Sequence, residues 1–270
     1  MKETEHLQNM ARNVRRKIIT TADYCHEKVH WASSLSCVEI LLSIICDHSN
    51  ISDSGVEAQR RDLLIVSKGH AALAYYAALE ECGLLTQSFV PEYQKNGSRY
   101  PEELVKDEGL FIECPTGSLG LGLPFAVGLA IRNKRRGSCQ RIFCVTGDGE
   151  CNEGSNWEAM MLASQMGLDN LSLIVDRNGL QLDGSTEAIL SCANLPNRLR
   201  AFGWSAREAN GHDFAALHDA LMPEPGTPQA VVAYTVKGKG ISFMENDFTW
   251  HDRKLSGDLL RLAKAEVGLE

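Results

Sequence analysis

One segment, residues 141–178, limits the possible folds of this chain more than any other. Arg141–Thr146 is an apolar run rich in strand-forming residues, and Leu171–Val175 is a second run of the same kind. Between them lie a Gly-Asp-Gly turn and a helical pattern from Glu153 to Met166. Strand, helix and strand in this order form the right-handed βαβ unit of a parallel sheet. We therefore predict an α/β fold, a mostly parallel sheet with helices on both faces.

Other stretches fit the same architecture. The apolar spacing predicts helices at Thr4–Cys25, at Leu35–Cys46 with Ser34 or Ser36 as its cap, from residue 70 to Glu81, and within 116–130; it predicts strands at Leu63–Val66 and Ala230–Val236. Residues 86–116 have no clear period and are predicted to form a long connection, a feature that is commonly functional. Because no internal repeat or low-complexity linker divides the chain, we expect residues 1–270 to form one domain.

Composition excludes several classes of protein. The formal net charge is −8, so a nucleic-acid-binding function is not expected, because phosphate binding needs a basic face. No apolar run approaches the roughly 20 residues of a membrane helix, and the N-terminus lacks the apolar stretch of a signal peptide. Nine cysteines without C-x-x-C spacing favour a reducing cytoplasm. No zinc site is expected, since no Cys or His residues pair at ligand spacing.

Polar residues follow the two central strands at the edge where parallel sheets bind ligands. Asp148 ends the first strand and Asn178 follows the second. A carboxylate and an amide oxygen, joined by a backbone carbonyl such as that of Leu180, suit Mg²⁺ or Ca²⁺ and leave room for a diphosphate. The N–H of Gly149 and the start of the following helix favour a phosphate. A lone Gly-Asp-Gly turn is common, and the second strand-end residue is what strengthens this prediction.

Loop residues add further candidates. His30, His70 and His251 all lie in predicted loops or turns, although a single loop histidine more often caps a backbone carbonyl. The loop Gly117–Gly120 opens a helix, so its backbone donors could bind phosphate, or its glycines could merely allow tight helix–sheet packing.

Long stretches of the sequence resemble the transketolase family. The text GDGECNEGSNWEAMMLASQMGLDNLSLIVDRNGLQLDG matches its thiamine-diphosphate motif, and SKGHAALAYYAAL, PTGSLGLGLPFAVGLAI and TVKGKGISFMEN match other parts of the family. The similarity runs from His30 to His251 in the family's order.

The resemblance implies a thiamine diphosphate cofactor with Mg²⁺, or Ca²⁺ or Mn²⁺ in its place, in the family's thiamine-diphosphate-binding fold. Asp148, Asn178 and the carbonyl of Leu180 would bind the metal. The cofactor-binding set would be His70, Gly117, Ser118, Leu119, Gly149, Glu150 and Asn178, and the catalytic residues His30 and His251. Glu153 matches an acidic residue that links two active sites across a dimer, although an acid in a first helical turn is also favourable by itself.

Transketolases are more than twice this length, and the resemblance covers only the diphosphate-binding domain. It therefore implies an N-terminal subunit of a split transketolase, located in the cytoplasm. A C-terminal partner would supply the pyrimidine-binding domain with its glutamate, and the assembly would be an α2β2 heterotetramer built on a homodimer of this chain. The implied reaction moves a two-carbon ketol unit from a ketose donor to an aldose acceptor, with sugars or sugar phosphates as substrates.

Two alternatives stay open at this point. The chain could be a subunit of a 2-oxo acid decarboxylase or dehydrogenase complex, although such chains usually lack the SKGH and TVKGKG text. It could also be a non-catalytic regulatory subunit that retains the fold. A nicotinamide-binding domain is not expected, because no G-x-G-x-x-G follows the first strand.

The sequence also departs from the family pattern. Tyr100 stands before Pro101 where the family has a substrate-facing histidine, Trp31 follows His30, and Asp252 follows His251 where glycine is usual. With a Tyr and a Trp expected near the donor pocket, these differences predict an unusual donor rather than an ordinary sugar phosphate.

Overall fold

The centre of the molecule is a parallel sheet of five strands in a computed structural model that describes residues 4–53 and 55–269. The strands are β1 (Leu63–Val66), β2 (Ile142–Gly147), β3 (Leu171–Arg177), β4 (Ser205–Asn210) and β5 (Gln229–Tyr234). They lie in the order β1-β2-β3-β5-β4, and every neighbouring pair is parallel. The predicted α/β class is confirmed.

Helices cover both faces of this sheet. Those of the described residues are α1 (Thr4–Thr20), α2 (Trp31–Ser36), α3 (Val38–Ser43), α4 (Ala72–Glu81), α5 (Gly122–Arg135), α6 (Gly154–Gln165), α7 (Thr186–Leu190), α8 (Leu195–Ala201), α9 (Phe214–Leu221) and α10 (Gly257–Glu266). Phe143 and Val145 of β2 pack with α1 to α4 and α9, whereas Ile142 and Cys144 pack with α5, α6 and α8. Alternate residues of a strand point to opposite faces, so β2 is buried on both.

The N-terminal helices differ from the prediction in one respect. In place of one helix over Leu35–Cys46, α2 and α3 meet at Cys37, and a π-helical turn, Ile44–His48, follows α3. Neither predicted serine caps a helix, since both Ser34 and Ser36 lie inside α2. The hydroxyl of Ser36 donates instead to the buried carboxylate of Asp176 at 2.6 Å, a tertiary contact that local spacing does not reveal.

Strand β4 is missing from the sequence prediction. Its residues, Ser-Ala-Arg-Glu-Ala-Asn, include no β-branched or aromatic side chain. It is an edge strand in which only the two alanines, Ala206 and Ala209, are buried, so the apolar signal is weak. Pairing with β5 defines it, and this contact is set by the tertiary fold.

The remaining predicted elements are present with shifted ends. The β1 prediction agrees with the structure, and helix α4 ends at Glu81 as expected. Residues 86–116 contain only short 3₁₀ turns at Val90–Glu92 and Glu108–Leu110 between irregular stretches. None of the helices in the described ranges is both long enough and apolar enough to cross a lipid bilayer.

Candidate active site

The carboxyl ends of β1, β2, β3 and β5 open onto one cavity of about 270 Å³. Its lining includes most of the predicted site residues: His30, His70, Gly117, Leu119, Asp148, Gly149, Glu150, Asn178, Leu180 and His251. Parallel strands place their carboxyl ends at the same edge of a sheet, so residues far apart in sequence meet there. Ser118 is exposed and does not line the cavity.

Asp148 is held in position by the backbone. Oδ1 accepts from the N–H of Gly149 at 3.0 Å, and Oδ2 accepts from the N–H of Gly179 at 2.8 Å. The side chain is almost fully buried, and burial together with the charge of Asp176 raises the pKa of Asp148 to about 6. No cationic side chain of the described residues forms an ion pair with this carboxylate. A carboxylate in this setting is suited to a metal cation.

The other two predicted metal ligands lie in the turn after β3. Asn178 Oδ1 accepts from the N–H of Leu180 at 3.1 Å, which closes the turn, and Nδ2 faces Asp176 at 3.4 Å. Asp148 contacts the same turn through Gly179, so the carboxylate, the amide and the Leu180 carbonyl border one part of the cavity. Three hard oxygen donors and space for a diphosphate fit Mg²⁺ with a phosphorylated cofactor. That these residues bind metal stays a prediction.

Three histidine rings face one another across the cavity. The ring centroids are 5.5 Å apart for His30 and His70, 5.1 Å for His30 and His251, and 5.4 Å for His70 and His251. Residues from a helix start, a turn after β1 and a C-terminal turn thus meet at one point. This grouping is not explained by three separate backbone caps.

Contacts with neighbouring side chains define the protonation of two of these rings. His30 Nδ1 lies 2.8 Å from Glu102 Oε1 and therefore carries the proton, which leaves Nε2 as an acceptor. His251 Nδ1 accepts from Lys237 Nζ at 2.8 Å, so its Nε2 carries the proton. Burial and the nearby Lys237 lower the pKa of His251 to about 3, and burial together with Lys68 holds the pKa of His70 well below its usual value. His70 and His251 are therefore neutral near pH 7.

Lys68 and Asp176 form a buried ion pair beneath the cavity, which the sequence prediction did not include. Both side chains are almost fully buried, and Asp176 also accepts from Ser36 and Thr235. Burial by itself would lower the pKa of Lys68 and raise that of Asp176, but the mutual attraction reverses both shifts. The carboxyl end of β3 is thereby fixed to the turn after β1. The SKGH text contains this lysine, and its position after a predicted strand is the signal that could have identified it.

Lys237 is a second site residue absent from the prediction. Its side chain is buried, bonds to His251, and approaches the Leu180 carbonyl at 3.4 Å. Burial and the charge of Lys68 lower its pKa to about 7. It follows β5 directly, so the rule that ligands lie beyond strand ends could have found it.

Glu150 connects three segments around the cavity. One carboxylate oxygen accepts from the Ser67 hydroxyl and from the N–H of Gly120, and the other accepts from the N–H of Gly147 at 3.3 Å. Gly120 has a φ of +80°, a conformation that favours glycine. Since both oxygens of Glu150 already bond to the chain, we expect it to position the 117–120 loop; a direct contact with a cofactor stays a prediction. Glu153 is exposed, ahead of α6 and outside the cavity.

Two residues expected near a donor pocket do not line the cavity, so this expectation was wrong. Trp31 is fully buried in the core, and its indole N–H donates to the carbonyl of Arg253 at 2.7 Å. Tyr100 packs against Tyr76 and Phe89, with ring centroids 5.3 and 6.0 Å away. Both rings bury apolar area in preference to facing a polar cavity. Their presence therefore carries no argument about the donor.

Glu103, from the long connection, places a carboxyl group in the cavity wall. Its Oε2 is buried and has no hydrogen-bond partner among the described residues. A Cβ atom built on Gly69 or Gly117 would come within 2.9 Å of this oxygen, so the two glycines allow the carboxyl to fit. Burial, with a further contribution from the charge of Glu102, raises the pKa of Glu103 to about 7.

Glu103→Gln is expected to stabilise the metal-free protein at pH 8 but not at pH 5. The pKa of Glu103 is about 7 when folded and near 4.5 when unfolded, so wild-type stability falls as the pH rises between these values. The amide cannot ionise and avoids this loss, which we put at about 1–2 kcal/mol after discounting for solvent screening. Urea unfolding at both pH values measures the difference. Glu158→Gln, at an exposed position, is the control, and an equal effect at both pH values would contradict the prediction.

Comparison with known sequences identifies relatives over nearly the whole chain. Residues 8–270 match the family model described as transketolase, thiamine diphosphate binding domain. One of the two-part enzymes' chains, from the apulose-4-phosphate transketolase of Actinobacillus succinogenes, is 41% identical over 97% of this chain and 96% of its own length. The 6-deoxy-6-sulfo-D-fructose transketolase subunit SqwG of Clostridium sp. MSTE9 is 34% identical over 88% of this chain and 89% of its own length.

Solved structures give the same result for the fold. Transketolase from Campylobacter jejuni superimposes with a TM-score of 0.86 at 26% identity. The match covers 98% of this chain but 43% of that one. The present chain thus corresponds to less than half of the Campylobacter transketolase and to nearly the whole of the Actinobacillus subunit.

Proposed function

The chain belongs to the transketolase family, as an N-terminal thiamine-diphosphate-binding subunit of a split enzyme, and on this basis we propose how its residues act. The observation that carries the proposal is the single cavity in which Asp148 and Asn178 face three histidine rings. The reaction is a transketolase-type transfer, and the match to transketolase subunits favours it over the 2-oxo acid alternative.

The cofactor is thiamine diphosphate, and we propose Mg²⁺ as its metal. Asp148, Asn178 and the Leu180 carbonyl would bind the cation, while Gly149 and His70 would bind the diphosphate. The backbone at 117–119 would border the cofactor, a role in which the exposed side chain of Ser118 takes no part. When bound, the cofactor supplies the nucleophilic carbon that cleaves the ketose carbon chain.

The histidines offer complementary hydrogen-bonding groups to a substrate. His30, with its Nδ1 proton on Glu102, presents an acceptor nitrogen that can take the proton of a donor hydroxyl. His251, with Nδ1 bonded to Lys237, presents an N–H that can donate to the ketose carbonyl oxygen. Because the pKa of His251 is about 3, this group stays a neutral donor throughout the neutral pH range.

We propose that the active assembly is an α2β2 heterotetramer in which a C-terminal partner supplies the pyrimidine-binding domain. The Actinobacillus relative is matched over 96% of its length and is itself named as one subunit of a transketolase, which supports a separate partner. Large apolar side chains are exposed on the neighbouring helices α5 and α6 and beside them: Leu121, Phe125, Met161, Leu162 and Met166. Apolar area of this kind supports an interface between copies of the chain, for which obligate assemblies commonly bury more than 2,000 Å². Exposed Glu153, ahead of α6, would link the two sites.

We propose donors that are ketoses with a terminal anionic group, as in the substrates for which the two relatives are named. The acceptor would be an aldose. A cytoplasmic location is supported by buried thiols, such as Cys37, whose pKa burial raises to about 12 and which are therefore unreactive.

The decisive experiment is reconstitution. This chain, a co-expressed C-terminal partner, and the two together are assayed for ketol transfer with thiamine diphosphate and Mg²⁺. We expect turnover only from the mixture, exceeding either chain alone by about 1,000-fold or more, since the partner supplies an essential catalytic group. Turnover by this chain alone would contradict the split-enzyme proposal, and a mixture that binds cofactor without turnover would favour a regulatory role.

Three donors then test the substrate class. Apulose 4-phosphate, 6-deoxy-6-sulfo-D-fructose and xylulose 5-phosphate are compared at equal enzyme concentration. We expect one of the first two to give the highest kcat/KM. Full activity on xylulose 5-phosphate would contradict the donor proposal while leaving the transketolase assignment intact.

A further inference from the structure

A second group of metal-ligating side chains lies outside the active site, between the π-helical turn and α9. Asp47 and His48 come from the end of the turn, and His218 from α9. Asp47 Oδ2 is 2.7 Å from His218 Nδ1 and 3.6 Å from His48 Nε2. One potential ligand atom from each of the three residues lies within 4.8 Å of the other two.

His48 is the residue that an ordinary hydrogen-bond network does not explain. Its side chain is 4% exposed, yet Nε2 has no hydrogen-bond partner among the described residues. The 3.6 Å to Asp47 is too long for a hydrogen bond. A buried polar atom without a partner is costly, so native proteins rarely leave one. The Asp47–His218 contact fixes α9 to the turn but leaves this nitrogen unused.

The backbone at this place is unusual as well. A π-helical turn, Ile44–His48, ends the segment that begins with α3, and such turns occur frequently at functional sites. Arg141 supports the turn, because its guanidinium donates to the His48 carbonyl oxygen at 3.0 Å. Its positive charge also opposes a cation nearby, so we expect binding weaker than in closed structural zinc sites.

We propose that Asp47, His48 and His218 form a binding site for a transition-metal dication such as Zn²⁺. Two imidazoles and one carboxylate are a zinc-type ligand set, unlike the oxygen donors around Asp148. The His218 side chain is 25% exposed, which leaves access for the ion and for a water as fourth ligand. The sequence prediction expected no zinc site, since His218 lies far from His48 in the chain and spacing motifs detect only neighbours.

The test is metal titration of the full chain with Zn²⁺ by calorimetry and with Co²⁺ by absorption. We expect one equivalent to bind with a tetrahedral Co²⁺ spectrum. His48→Gln and His218→Gln are each expected to weaken binding by about 100-fold or more, since the loss of even an outer-shell partner costs roughly 10–100-fold. His26→Gln, at an exposed histidine, is the matched control and should bind as the wild type does.

Two further measurements separate this site from the active site and from misfolding. Asp148→Asn should leave Zn²⁺ binding unchanged, because it alters only the oxygen-donor site. A roughly hundredfold excess of Zn²⁺ over its Kd should raise the wild-type Tm by about 5 °C, a readout that needs no variant. Absence of stoichiometric binding, binding retained in both histidine variants, or binding lost in Asp148→Asn would overturn the proposal. None of these results bears on the transketolase assay.

Discussion

Asp148→Asn is expected to weaken the binding of thiamine diphosphate with Mg²⁺ by more than about 100-fold. The substitution keeps the size of the side chain but removes the only charge in the proposed ligand set of carboxylate, amide and carbonyl. Isothermal titration with both ligands measures the loss. Because the pKa of Asp148 is raised to about 6, protons should compete with the cation below that pH in the wild type. The variant should lack this pH dependence.

Asp219→Asn is the control for this prediction, since it makes the same chemical change at an exposed aspartate of α9 outside the cavity. It should bind the cofactor as the wild type does. Circular dichroism establishes that both variants fold. If Asp148→Asn were folded and bound cofactor and Mg²⁺ with unchanged affinity, the proposed metal site would be in the wrong place.

Lys68→Met is expected to lower the free energy of unfolding by about 3–5 kcal/mol, because it leaves Asp176 as an uncompensated buried charge. Both side chains of this pair are almost fully buried, so water cannot replace the lost partner. Urea unfolding at pH 7 measures the effect. Lys95→Met, which removes an exposed ion pair with Glu92, should change stability by at most about 1 kcal/mol.

A double variant tests whether the loss arises from the unpaired charge. Lys68→Met/Asp176→Asn should be less destabilised than the sum of the two single variants, since neither leaves a charge behind once both are replaced. Strictly additive losses would show that the two residues contribute independently. In that case the ion pair would not be what fixes β3 to the turn after β1.

The central part of the fold and site was predictable because its signals are local. Apolar runs such as Leu171–Val175 are long enough to be read as buried strands, and parallel strands bring Asp148 and Asn178 to one edge. Family resemblance added His30, His70 and His251, whose meeting no spacing rule gives. Strand β4 was missed because an edge strand with polar residues has little apolar signal.

Side-chain environments were beyond the sequence. The motif around Lys68 is visible, but its pairing with Asp176 depends on how β1 and β3 align through β2. Trp31 and Tyr100 were assigned to a donor pocket from their sequence neighbours, whereas packing places both rings in apolar surroundings.

The sequence by itself determined the α/β class, the βαβ unit and the residues that follow its strands, because these depend on local apolar periodicity and on a text shared with a family. Only the tertiary structure decided which of those residues meet, which are neutral and which are buried. Hydrogen-bond partners and pKa values arise from contacts between distant segments, such as His251 with Lys237 or His218 with Asp47. Such contacts follow from the packing of whole elements, and no stretch of sequence contains that information by itself.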